Sequence, residues 1–250
     1  MRLIRAEALK LYRRRGMMIW CALLTVGAVI VAEVVLIALH AANSARHGPA
    51  GGRENFMNVL FVLTGLGNVA AILIGSTAGT QDASSGVLRD LAVTGRPRRT
   101  LFRVRLPGAL AVFLPLLAIG FAMALACAFV FAGAKPTPGA GYVGRFAAYG
   151  VIITTVDIAL AIGLAAFASS RVVVGILIAW NAIVSHLLMH IGSLGSVRKG
   201  IDVAAAESLL PKSANETRIA MSAVTALVVL VVWVAVFQRA GQWWTDRRDI

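Results

Sequence analysis

Acidic residues are scarce in this chain of 250 residues: 11 Asp and Glu stand against 24 Lys and Arg, and all charged side chains together make up 14%. A formal net charge of +13 in a soluble chain would point to nucleic acid. Here the basic residues cluster beside apolar runs, so membrane topology and anionic lipid headgroups account for them and nucleic acid is not an expected partner. Cysteine is nearly missing. Cys21 and Cys127 each sit inside an apolar run, expected near opposite faces of a membrane, so neither a disulfide nor a thiolate metal site is expected. No G-x-x-x-x-G-K-[ST] loop occurs, so the chain has no phosphate cradle of that kind. The H-E-x-x-H metal motif is absent, and in GSTAG, Gly75 to Gly79, the serine comes one place too early for G-x-S-x-G. A membrane-embedded enzyme would need a converging nucleophile, base or metal ligand set in the spans, and none is legible.

What the chain has is apolar length: it is 59% hydrophobic, with a mean hydropathy of +0.82. Charge-poor runs of about 20 residues are the mark of transmembrane helices, which satisfy their own backbone hydrogen bonds across hydrocarbon. Six are expected, at Met17 to His40, Phe56 to Ala78, Gly108 to Ala134, Arg145 to Ala168, Val172 to Ile191 and Arg218 to Gln238. The expected fold is therefore an all-α polytopic membrane protein. The first run is too long for a signal-peptide core and shows no small-residue cleavage site, so it is expected to be retained.

Before the first span, Met1 to Gly16 place Met1, Ile4, Ala8, Leu11 and Tyr12 on one helical face and Arg2, Lys10, Arg13 and Arg14 on the other, as in a helix lying along a leaflet. Turn formers Asn43, Gly48, Pro49, Gly51 and Gly52 follow the first span, and Pro136 and Pro138 follow the third. Gly75 and Gly79 allow close helix contact, and Pro115 is expected to kink the third span. Gly192 to Thr217 reads as a longer outer segment, with a short helix at Ile201 to Leu210 stopped by Pro211. Asn215-Glu216-Thr217 matches a glycosylation sequon, a tripeptide that often arises by chance.

Between the second and third spans lies the segment Gln81 to Leu106, with six arginines against Asp82 and Asp90. Ser84 and Ser85 can cap a short helix whose apolar face is Val87, Leu88 and Leu91, Gly95 can end it, and Pro97 opens a second helix carrying Arg98 to Arg105. Six Lys and Arg before the first span, six here, Arg171, and Arg239, Arg247 and Arg248 put 16 of the 24 on one side. By the positive-inside rule that side, with both termini, is cytoplasmic. Trp20, Trp243 and Trp244 fit an aromatic belt at its boundary.

Glu33 and Asp157 are the acids inside apolar spans, where each costs about 2.5 to 3.5 kcal/mol on insertion scales. Either a substrate or proton contact or a hydrogen bond to a neighbouring helix would keep them. Rise per residue sets Glu33 in the outer half and Asp157 near the middle or inner half, so they do not read as a paired-carboxylate site. Asn68 and Asn181 read as helix–helix hydrogen bonders. His186 and His190 share a helical face, where interfacial hydrogen bonding is the simpler reading than a metal.

This order of parts resembles the permease subunit of ABC-2 type transporters. The most specific similarity lies in AEALKLYRRRGMMIW at the N-terminus and in DASSGVLRDLAVTGRPRRTLFRVRLPGAL, which is similar to the family's coupling region. Asp82 stands where the family more often has Glu, and Arg103 or Arg105 where it more often has Lys. The resemblance implies an exporter built from two membrane subunits, a homodimer of this chain, and two cytoplasmic ABC ATPase subunits that carry ATP and magnesium. It also implies that Asp82, Val87, Leu88, Arg89, Leu91, Arg98 and Arg99 engage the ATPase. The membrane would be the bacterial cytoplasmic membrane and the substrate a hydrophobic or amphipathic drug, peptide antibiotic or lipid. The alternative class is an ion-coupled secondary transporter using Glu33 or Asp157, although no three-span internal repeat is visible.

Overall fold

The structure, a computed structural model, describes residues 2–84, 98–210 and 219–247. Among them the chain is all-α, with six helices long and apolar enough to cross a membrane, and it is a multi-pass membrane protein. α1 is Arg2–Tyr12. The spans are α2 (Arg15–Ala42), α3 (Gly52–Ser84), α4 (Arg98–Val130), α5 (Ala140–Leu164), α6 (Ser170–His190) and α8 (Ala223–Arg247), with the short α7 (Asp202–Leu209) between the last two. We call the end of the bundle that holds α1 proximal and the other distal.

Helix ends depart from the apolar runs because a helix continues wherever its backbone is satisfied, whatever its side chains. The third span was expected at Gly108 to Ala134. The helix expected from Pro97 does lead into it, starting at Arg98; it breaks at Val104, runs on through Pro115 and stops at Val130, short of Ala134. The last span was expected to end at Gln238 but carries on through both tryptophans to Arg247. It starts at Ala223, where the Ser222 hydroxyl accepts the Thr225 N–H at 3.1 Å as an N-cap. Two spans contain a π-turn, Leu23–Gly27 in α2 and Trp180–Val184 in α6. At the first, Thr25 Oγ1 donates to the Cys21 carbonyl at 2.7 Å.

α3 and α5 form the centre: 56% and 67% of their apolar windows are buried within the protein, against 11% for α8 and 17% for α6. The outer helices therefore turn most of their side chains away from the bundle, among them Val224, Val228, Val231 and Val232 of α8. Because lipid is as apolar as leucine, contact between spans rests on close packing and hydrogen bonds. Gly75 and Gly79 supply the closest approach. A Cβ on Gly75 would sit 2.8 Å from the Ala161 Cβ, and one on Gly79 would run into that of Ala165, so α3 and α5 meet nearly backbone to backbone. Gly163 and Gly241 do the same for α5 and α8, with the Phe102 ring closing over Gly241.

At the distal end the loops after α2 and α4 are bonded to each other. Gly51 N–H donates to the Phe131 carbonyl at 2.8 Å, Arg53 N–H to that of Pro136 at 2.8 Å, and Lys135 Nζ to that of Pro49 at 3.1 Å. Gly52 opens α3 at φ +87°, a backbone conformation other residues seldom adopt. Beneath this clamp Phe56, Phe121 and Phe146 meet edge to face.

α1 packs against the start of α4 through Glu7 and Leu11, and Glu7 closes over Gly108. Tyr12, expected on the apolar face, is 66% exposed, and the buried face instead includes Glu7, which also pairs with Lys10 at 2.7 Å.

The segment after α6 differs most from expectation. Gly192–Gly200 forms tight 3-10 turns, with Gly195 at φ +50°, and leads into α7, whose Asp202, Ala204, Ala205 and Ala206 are buried. Trp233 Nε1 donates to the Gly200 carbonyl at 2.8 Å. Trp233 lies ten residues into α8, about 15 Å along its axis, so the segment re-enters the bundle to about mid-depth. It is not simply an outer loop. The buried part is α7 itself; Gly192–Gly200, which leads into it, holds no buried residue.

Candidate functional site

Four polar side chains from four elements converge where the re-entrant segment meets the spans. Asp157 of α5 is 2% exposed. Its Oδ1 accepts from Asn181 Nδ2 of α6 at 3.0 Å. The Asn68 amide of α3, oriented so that its nitrogen faces acceptors, donates to Asp157 Oδ2 at 3.1 Å and to the Thr64 carbonyl at 3.0 Å. Both carboxyl oxygens thus have a donor, which is what a buried acid requires. Asn181 lies within the π-turn of α6, a deviation from the regular helix of the kind that collects at functional sites.

The fourth side chain is Asp202, the first residue of α7, 3% exposed and close enough to Asp157 for their charges to interact. Its Oδ1 accepts from Trp180 Nε1 at 2.9 Å, and the Val203 N–H also bonds to it. Burial raises its carboxyl above the usual carboxylate range, while the bonds from Trp180 and the backbone oppose the shift. Trp180, Trp233 and Phe237 form one aromatic stack beside it.

The sequence identified Asn68, Asp157 and Asn181 singly but not that they meet. It missed Asp202 altogether, because an Asp after a Gly- and Ser-rich stretch reads as exposed. The available signal was the pair Trp180 and Trp233, whose indole N–H groups need acceptors in the middle of apolar spans. Glu33 stays apart from this group. It is 6% exposed, and its Oε2 has no hydrogen-bond partner among the described residues. His186 faces Glu207 at 3.4 Å and His190 bonds to the His186 carbonyl, so the two histidines serve α6, α7 and their own backbone.

At the proximal end, Val87, Leu88, Arg89 and Leu91 lie outside the described residues, as does the Asp82 side chain. The flanks of that segment are defined. Arg105, 2% exposed, donates from Nη1 to the Gly79 carbonyl at 3.1 Å and holds its guanidinium 5.6 Å from the Phe102 ring centre. Arg99 Nε pairs with Asp246 Oδ2 of α8 at 2.8 Å, and Arg98 is half-buried. Comparison with known proteins returns no matching family model and no matching curated protein.

Proposed function

We propose that the chain is the membrane subunit of an ATP-driven transporter of the ABC-2 type, working as a homodimer with two cytoplasmic ATPase subunits that hold ATP and magnesium. In this reading the proximal end faces the cytoplasm of a bacterial cell, the segment from Asp82 to Arg99 carries the ATPase contact, and a hydrophobic or amphipathic substrate is moved outward. The observation that supports it most is the anchoring of both flanks of the basic segment. Arg105 binds the end of α3 to the start of α4, Phe102 closes over Gly241 of α8, and Arg99 pairs with Asp246. A push on the segment would reach α3, α4 and α8 together, and α5 through the Gly75 and Gly79 contact. A flexible tether would transmit none of it.

The test is co-purification with the ATPase encoded beside the gene, comparing the native chain with one carrying Val87→Asp, Leu88→Asp and Leu91→Asp. The native chain is expected to retain the ATPase and the inserted triple variant to lose it. Failure of the native chain to retain any ATPase would overturn the proposal. A second reading, ion coupling, has the buried Asp157 group in its favour. It would gain if substrate uptake into vesicles followed an imposed pH gradient without ATP and stopped in Asp157→Asn.

A further inference from the structure

The proximal ends of α4 and α8 enclose a cleft of about 620 Å³ whose chemistry differs from the lipid-facing surfaces around it. Arg99 and Arg103 stand one helical turn apart on α4, and Arg239, Gln242, Trp243 and Asp246 line it from α8. Three guanidinium groups and one carboxylate share the space. Asp246 is committed to Arg99, so Arg103 and Arg239 remain as cations with no acidic partner among the described residues. Both are exposed, so neither has lost its hydration to burial.

The cleft sits beside lipid-exposed residues of α8 and is edged by an indole. Trp243 is half exposed and carries the Arg247 guanidinium 4.2 Å above its ring, the arrangement of an interfacial tryptophan with a fixed cation. Its position does not depend on side-chain flexibility alone: Phe102, next to Arg103, is 2% exposed and closes over Gly241, two residues from Arg239. The helix crossing therefore sets the spacing between the two free arginines.

We propose that this cleft binds the headgroup of an anionic phospholipid. The phosphodiester would lie between Arg103 and Arg239, with Gln242 as a further donor, and the acyl chains would run down the apolar face of α8. Guanidinium groups match phosphate oxygens in pairs. A soluble phosphate would meet the same donors but would leave the neighbouring apolar face and Trp243 unused, so the lipid source is favoured.

Native mass spectrometry of the full chain purified in detergent tests this, with phosphatidylglycerol and phosphatidylcholine offered at equal concentration. The native protein is expected to retain phosphatidylglycerol in clear excess. Arg103→Gln with Arg239→Gln is expected to weaken that retention about tenfold or more, from roughly a factor of five per basic residue near an anionic surface, while Arg103→Lys with Arg239→Lys keeps most of it. Equal retention of the two lipids by the native protein, or an unchanged preference in the Gln variant, overturns the proposal. Displacement of phosphatidylglycerol by millimolar inorganic phosphate would reassign the cleft to a soluble anion and also overturn it. Should the Gln variant fail to fold, the native lipid preference and the phosphate competition still decide the matter.

Discussion

At the residue scale, Asp157 distinguishes a hydrogen-bonded strut from an empty polar position. Asn68 and Asn181 both aim donors at it, so Asp157→Leu would take that acceptor from two half-buried amides, Asn68 keeping its bond to the Thr64 carbonyl, at about 1 kcal/mol each, whereas Asp157→Asn keeps shape and one acceptor oxygen. Thermal unfolding in detergent is expected to show a large loss for Leu and a small one for Asn. Equal losses would mean that the cost is steric and that the amide bonds contribute little. These residues were legible in the sequence because polar groups in apolar runs are rare and expensive. Their convergence was not, because it depends on how α3, α5 and α6 rotate about their axes, which packing between helices sets, at Gly75 and Gly79 for α3 and α5, and no single run encodes.

The re-entrant segment is the element whose placement hydropathy alone could not give. Ala204, Ala205 and Ala206 are apolar but α7 is far too short to span, and short apolar stretches fit an outer helix and a re-entrant one equally well. Length decides the six spans; only tertiary partners such as Trp233 decide this one. With Cys21 and Cys127 replaced by serine, an impermeant maleimide is expected to label Val197→Cys readily, since Val197 is 70% exposed, and to spare Ala205→Cys, which is fully buried. Adding Trp233→Phe removes the bond to the Gly200 carbonyl and is expected to raise labelling at 205 severalfold. Rapid labelling at 205 in the parent would show that α7 is not packed on α8.

For the whole molecule, six spans and an all-α fold followed from runs long enough to cross hydrocarbon. The proximal turns of α4 were legible from Pro97 and the arginines after it, whereas those of α8 beyond Gln238 were hidden because that end is amphipathic and looks like loop by composition. The flanks of residues 85–97 are fixed to α3, α4 and α8, so inserting a flexible Gly-Ser stretch between Thr94 and Gly95, beyond Leu91, is expected to leave unfolding temperature unchanged and partner ATPase still bound. Substrate-stimulated ATP hydrolysis is expected to fall at least tenfold; full stimulation in the insertion variant would mean that the anchored flanks carry no force. The distal clamp has a mechanical corollary. With Gly51, Arg53 and Lys135 bonded across to the neighbouring loop, α3 has its fulcrum at that end and a lever arm of about 42 Å from Gly52 to Thr80. A tilt of about 5° around the fulcrum carries Thr80 about 4 Å and Asn68 about 2 Å, on the same rise per residue. Because Gly75 and Gly79 tie α5 to α3, Asn68 and Asp157 would travel together, and a modest stroke at the proximal end would act on the contact Asp157 makes with Asn181 of α6.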